Sequence, residues 1–262
     1  MQRTILITGA GSGLGAAAAD YLRAQGHRVI WVGINPKAEI CADLATVEGR
    51  QAMVEQVTEL AGGKLDAVIA NAGGGRTPAE NVSLNYFGAV ATLDCLRPLL
   101  ARGTDPRAVA IASLGAVHPN DADIVAACLE GDEERAVALT EGKERLLVYS
   151  SAKRALAQWV RRVAPTPDWA GAGIAINAVA PGVFVTPLVE GALADPVTKA
   201  FIETQAPMPY NGFARPEQLA PTLAFLTSPD CQVMTGQLIF VDGGADTLLR
   251  GEDIWSWNDG RH

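Results

Sequence analysis

A chain of 262 residues with 48% hydrophobic side chains can bury a substantial core, as one large α/β domain or two small ones. Its formal charge of −8 argues against nucleic acid as the main partner, because phosphate contacts need a basic surface that releases counterions. No run approaches the roughly 18 apolar residues of a membrane span, and the opening MQRTILITGAG carries no secretory leader pattern, so a cytoplasmic enzyme or binding protein with no membrane partner is expected.

Strand-like apolar runs recur at 4–8, 28–33, 65–70, 107–113, 173–179 and 237–241, separated by helix-length segments such as GAAAADYLRAQG and SSAKRALAQWVRRVA. Near-continuous apolar strands alternating with helices predict an α/β fold: a doubly wound, Rossmann-type parallel sheet with helices on both faces and ligands at the carboxyl ends of the strands. With no repeat, linker or low-complexity tract, residues 1–262 read as a single domain. Two stretches interrupt the alternation. Residues of about 119–145 hold eight acidic against three basic side chains, which predicts a solvated helical insertion or an assembly element. From about 183 to 215 the chain is rich in proline and apolar residues, as a mobile lid over a site is.

Cys41, Cys95, Cys128 and Cys231 form no CxxC and are expected to be buried reduced thiols. His27, His118 and His262 give no pair with ligand spacing, so no metal site is predicted.

The first strand ends in TGAGSGLG, where Gly9, Gly13 and Gly15, with Ser12 and Leu14 among them, permit a tight turn and let backbone amides approach a pyrophosphate at a helix N-terminus. A turn without a ligand is the other reading of such a cluster. Asn35 follows the second strand, where an aspartate would select NAD. It can bond a ribose hydroxyl but lacks the charge that repels a 2′-phosphate, and Lys37 could pair with one; NAD is the expected cofactor, with NADP left open. Asp43 and Leu44 are candidates for the adenine pocket. Asn71, Ala72 and Gly73 close the next long strand with small residues that allow close approach to a cofactor. Asn85 falls inside a helix, where asparagine is a poor former and needs a reason. Ser113 lies at the carboxyl end of a strand, as a site hydroxyl or a strand-end cap. Tyr149 and Lys153 are one helical turn apart on one face.

Together TGAGSGLG, NAG, Asn85, Ser113, YSSAK, INAVAPG at 176–182, TPL at 186–188 and VDGG at 241–244 resemble the short-chain dehydrogenase/reductase family over essentially the whole chain. Within it, AEICADLATVEGR, SLNYFGA, DGGADTLLR and the long interval between Ser113 and Tyr149 are similar to the bacterial 3α-hydroxysteroid dehydrogenase/carbonyl reductases. The resemblance implies hydride exchange between a nicotinamide and a secondary alcohol or ketone, with a hydrophobic or cyclic small molecule as substrate. In that reading Tyr149 is the acid–base residue, and Lys153 lowers its pKa and binds the nicotinamide ribose. Ser113 polarises the substrate oxygen, and Asn85 holds a water linking Lys153 to solvent. Pro181, Gly182, Val183 and Thr186 would hold the cofactor, Val183 and Thr186 at the carboxamide. A homodimer or homotetramer is expected, and Trp255 and Trp257 would pack at a subunit interface, beside a neighbouring site or in the core. A serine hydrolase using Ser113 and His118 would need the missing first glycine of G-x-S-x-G. A non-catalytic NAD(P)-binding sensor or structural subunit with the same fold is the alternative from another class.

Overall fold

Strands that are apolar at both parities must be covered on both faces, and here the sheet is. The structure is a computed structural model that describes residues 1–254; Trp255 and Trp257 lie outside the described residues. In chain order come β1 (Thr4–Thr8), α1 (Gly13–Ala24), β2 (Arg28–Gly33), β3 (Ile40–Cys41), α2 (Val47–Leu60), β4 (Ala67–Ala70) and α3 (Pro78–Val82). A π-helical turn at Ser83–Gly88 runs into α4 (Ala89–Leu100), followed by β5 (Arg107–Ile111) and a 3-10 turn at Leu114–Val117. Then follow α5 (Ala122–Glu130), α6 (Glu133–Ala138), α7 (Arg145–Val163), β6 (Ala175–Pro181), α8 (Pro187–Ala194), α9 (Pro196–Gln205), α10 (Ala220–Leu226), β7 (Leu238–Val241) and α11 (Ala245–Arg250).

All pairings are parallel, in the order β3-β2-β1-β4-β5-β6-β7. The order reverses between β1 and β4, which opens a crevice at their carboxyl ends. Alternate residues feed two cores. Leu6 joins Met53, Leu93 and Leu156 from α2, α4 and α7 on one face, while Ile5 and Ile7 join Leu22 and Leu223 from α1 and α10 on the other. β3 adds a strand to the six expected; with two residues it is too short to leave a periodic trace.

The stretch 119–145 is helical with six of its eight acidic residues exposed, as expected, but its apolar side is docked on the rest of the protein. Ile124, Ala127, Cys128 and Ala136 are fully buried in the core that contains α7. Its acids work locally: Asp121 and Asp132 cap α5 and α6 through their carboxylates. Asp121 also pairs with Lys143 at 2.6 Å, tying the two ends of the stretch together, and Glu133 pairs with buried Arg50. A count of acids cannot distinguish caps and ion pairs from a solvated face. The 183–215 stretch forms α8 and α9, and α9 leaves Val197 and Phe201 exposed. Of the cysteines, Cys128 and Cys231 are buried as expected, whereas Cys41 and Cys95 are exposed; all four are free thiols. Among the described residues no helix is long and apolar enough to cross a membrane.

Candidate active site

The loops after β1 and β4 are joined by Thr8. Its buried hydroxyl accepts from the backbone N–H of Asn71 and of Ala72, both at 3.0 Å. Asn71 returns its side-chain amide to Thr8 O at 3.0 Å and Gly9 O at 3.2 Å. Gly9 and Gly13 have φ of +69° and +56°, which favour glycine, and a Cβ on Gly15 would strike the Gly9 carbonyl and stand 2.5 Å from Asn71 Nδ2. Ser12 sits at the N-cap of α1 without a side-chain cap bond, and the first turn carries no acid. The glycine cradle and the uncapped amides therefore fit a dinucleotide diphosphate. Thr8 was missed in the motif reading; its signal is a hydroxyl on the last residue of the first strand.

The second cluster forms where β5 ends against α7. Lys153, buried in mid-helix, donates from Nζ to Ile111 O at 2.7 Å, and its Nζ lies 5.9 Å from the centroid of the Tyr149 ring. Ser113 accepts from Gly115 N at 3.0 Å, capping the 3-10 turn, with its Oγ and the Tyr149 ring both packed around Gly115. Glycine at 115 makes room for this packing: a Cβ would lie 3.2 Å from Tyr149 Cε1 and 3.3 Å from Ser113 Oγ, and both side chains would have to shift slightly. Asn85 is fully buried in the π-helical turn and donates from Nδ2 to Gly74 O at 2.7 Å and Asn81 O at 2.8 Å, while its Oδ1 accepts from Gly74 N at 3.3 Å. Gly73 joins the two: a Cβ there would be 2.9 Å from Asn85 Oδ1 and 3.6 Å from Lys153 Nζ. Asn85, Ser113, Tyr149 and Lys153 are thus gathered in one place, and Arg145, one turn before Tyr149, donates to Gly75 O at 2.7 Å.

The electrostatics depart from expectation. Burial pushes the Tyr149 phenol up, with nearby Ser113 pulling the other way. Burial also lowers Lys153 to about 7. In the protein alone burial is thus the leading influence on both residues. A desolvated ammonium without a carboxylate beside it holds its proton too weakly to act as a fixed positive charge.

Around this centre the remaining candidates differ in availability. Asn35 is exposed and its Oδ1 accepts from Lys37 N at 2.9 Å. Asp43 is exposed and turns its carboxylate onto Ala45 N at 3.0 Å, whereas the Leu44 side chain is buried in the core, which leaves its backbone as the part able to face an adenine. Val183 is not the free backbone handle expected: its N–H donates to Met208 Sδ at 3.2 Å and its C=O accepts from Ala214 N at 3.0 Å. Pro181 ends β6, Gly182 packs against Asp242 and Met208, and Thr186 stands beside Gly13, so the 183–215 stretch begins at the glycine loop. His118 contacts Gln205 O through Nε2 at 2.9 Å, and among the described residues no hydrogen bond joins it to Ser113, so the serine–histidine pairing is not formed. A groove of about 560 Å³ beside Gly13, Val185 and Arg215 lies on the α1 flank and is not lined by Ser113 or Tyr149.

A glycine-cradled helix terminus at the switch point of a parallel sheet, one strand away from a half-buried serine and tyrosine beside a buried lysine, defines a dinucleotide-type oxidoreductase architecture. A family model described as short chain dehydrogenase matches residues 3–125, and one described as enoyl-(acyl carrier protein) reductase matches 135–246. The chain is 36% identical to the 3-alpha-hydroxysteroid dehydrogenase/carbonyl reductase of Comamonas testosteroni, over 94% of this chain and 97% of that one. It is 30% identical to the cis-4-hydroxycyclohexanecarboxylate dehydrogenase of Sinomonas cyclohexanicum, over 93% and 96%. Among solved structures, the 3-alpha-hydroxysteroid dehydrogenase from Pseudomonas sp. B-0831 complexed with NADH superposes with a TM-score of 0.88 at 38% identity, covering 95% of this chain and 99% of that one. The chain belongs to the short-chain dehydrogenase/reductase family, a family of oxidoreductases.

Proposed function

We propose that the protein exchanges a hydride between NAD and a hydrophobic or cyclic secondary alcohol or ketone, with NADP as the other cofactor to test. The observation that carries this is the gathering of Ser113, Tyr149 and buried Lys153 at the end of β5. The relatives named above support the substrate class, since their names describe a hydroxysteroid and a hydroxycyclohexane carboxylate. The same-fold sensor without turnover is disfavoured by these side chains all being present and in contact.

A bound nicotinamide supplies the two-electron acceptor or donor for the carbinol carbon. In oxidation Tyr149 takes the hydroxyl proton, and in reduction it gives a proton to the oxygen that becomes the alcohol. Ser113 donates to that oxygen and stabilises the charge developing there. Lys153, poised near neutrality, exchanges protons with Tyr149 and with solvent, and binds the nicotinamide ribose; Asn85 holds the water on that path. Gly9, Ser12, Gly13, Leu14 and Gly15 hold the diphosphate, and Asn71, Ala72 and Gly73 line the cofactor cleft. Asn35, Asp43 and the Leu44 backbone hold the adenosine end. Pro181, Gly182, Val183 and Thr186 hold the nicotinamide end, with Val183 N–H released from Met208, whose thioether is a weak acceptor.

In this reading residues 1–262 form one catalytic unit in the cytoplasm, with the 183–215 stretch as its lid. The exposed Leu248, Leu249 and Ile254 support pairing with a second copy in a homodimer or homotetramer. The test is a turnover screen of hydroxysteroids, cyclic alcohols and aryl alcohols with both nicotinamides, alongside light scattering for the assembly. Tight cofactor binding with no turnover across that panel would favour the sensor instead.

A further inference from the structure

A buried ion pair crosses from the 119–145 insertion to the element that carries Asn85. Arg50, on the inner face of α2, grips Glu133 of α6 in a fork, Nη1 to Oε1 at 3.1 Å and Nη2 to Oε2 at 2.5 Å. The same Nη1 donates to the carbonyl of Ser83 at 3.4 Å, and Ser83 is the first residue of the π-helical turn. At the other end of that turn, Thr92 Oγ1 donates to Gly88 O at 2.7 Å. A π-helical turn holds one residue more than an α-helical ladder accommodates, so it persists where its surroundings stabilise it. Here both boundary carbonyls receive a side-chain donor. Between them Asn85 reaches Gly74 and Asn81, beside Gly73 and Lys153.

We propose that the insertion positions Asn85: Glu133, acting through Arg50, holds the π-helical register in which the Asn85 side chain meets Gly74. Arg50 is 8% exposed, and a guanidinium so buried needs a counter-charge. Without the carboxylate of Glu133 it withdraws towards water and the Ser83 carbonyl loses its donor. The turn is then free to relax to an α-helical ladder, which carries Asn85 off the Gly74 loop. Glu133 and Arg50 are positioning residues in this scheme, since neither contacts the Ser113–Tyr149–Lys153 cluster. The effect on turnover rests on the dehydrogenase reading above; the effect on the turn does not.

The test compares wild type with Glu133→Ala, Glu133→Gln, Asn85→Ala and the Glu133→Ala/Asn85→Ala double variant. Hydrogen exchange resolved by peptide is expected to quicken over 83–88 and at Gly74 in Glu133→Ala, with β1 and β4 unchanged. Unchanged exchange over 83–88 would overturn the proposal. On a substrate from the screen, kcat in Glu133→Ala should fall on the order of tenfold, with substrate KM and cofactor Kd held within about twofold and partial recovery in Glu133→Gln. The same change should cost nothing further once Asn85 is alanine. An unaltered kcat, or losses that multiply in the double variant, would also overturn it. If Glu133→Ala does not fold, Glu133→Gln carries the comparison. A wild-type protein inactive on the whole panel counts against the dehydrogenase reading, and the exchange measurement still decides the positioning.

Discussion

Lys153 stands one turn after Tyr149 on α7 but spends its bond on Ile111 O at 2.7 Å, with Nζ 5.9 Å from the centre of the phenol ring. The lysine is thus held in place by the end of β5, and burial lowers it to about 7. Below that value the folded protein carries a buried ammonium, whereas the unfolded chain keeps its proton up to roughly pH 10.4. Between the two the unfolded state binds more protons, so this residue's contribution to stability rises with pH from about 7 to roughly 10. Lys153→Met should therefore raise Tm of the cofactor-free protein most at pH 6 to 7, and the gain should shrink towards pH 10. A Tm difference that stays flat across that range would contradict a lowered lysine.

Tyr149→Phe removes the proton carrier and keeps the ring. Turnover should drop by on the order of 10²- to 10⁴-fold while cofactor binding, read by quenching of protein fluorescence, persists. Because burial raises the phenol, oxidation in the wild type should speed up as pH rises and reduction should be favoured at lower pH. Opposite pH trends in initial rates would sink the assignment.

Thr8→Val keeps shape and removes the acceptor for two backbone N–H groups. Each buried donor left unpaired costs about 1–3 kcal/mol. The expected outcome in chemical denaturation is a loss of about 2–6 kcal/mol for the two donors together, with weakened cofactor binding, since the loop at Asn71 is freed. Stability within error of wild type would show that the loop is held otherwise.

Asp121→Asn tests the tie between the ends of the insertion. The bond with Lys143 holds the Asp121 carboxyl below its usual value, against a smaller opposing effect of burial. A depressed carboxylate contributes stability above its unfolded pKa of roughly 3.9 and loses it as pH falls through the folded value. The Tm deficit of Asp121→Asn should accordingly be present at pH 6 and shrink below pH 4.

Asn35→Asp places a carboxylate where it would repel a 2′-phosphate. The ratio of kcat/KM for NAD over NADP should increase; an unchanged ratio would mean that Asn35 does not face the ribose.

Much of this is legible in the amino-acid sequence. Six strands and their parallel direction follow from apolar runs whose residues must be buried on both faces, and Gly9, Gly13 and Gly15 follow from the backbone approach a diphosphate requires. Other features left no periodic or motif signal. Asp121 and Glu133 look the same in sequence whether they cap, pair or face water, so the docking of the insertion through them was not legible. Met208 on Val183 and Thr8 on Asn71 join residues far apart in the chain, and only the packed sheet brings them into contact.

The sequence by itself determined which side chains are present and their local spacing: the glycine turn, the asparagine in a helix, and a tyrosine four residues before a lysine. Those depend on helical and strand periodicities and on backbone sterics, which are local. Only the tertiary structure decided the protonation of Lys153, the commitment of the Asn85 carboxamide and the route from Glu133 through Arg50 to Ser83. Desolvation and ion pairing depend on what surrounds a group in space, and for these residues the surroundings come from distant parts of the chain.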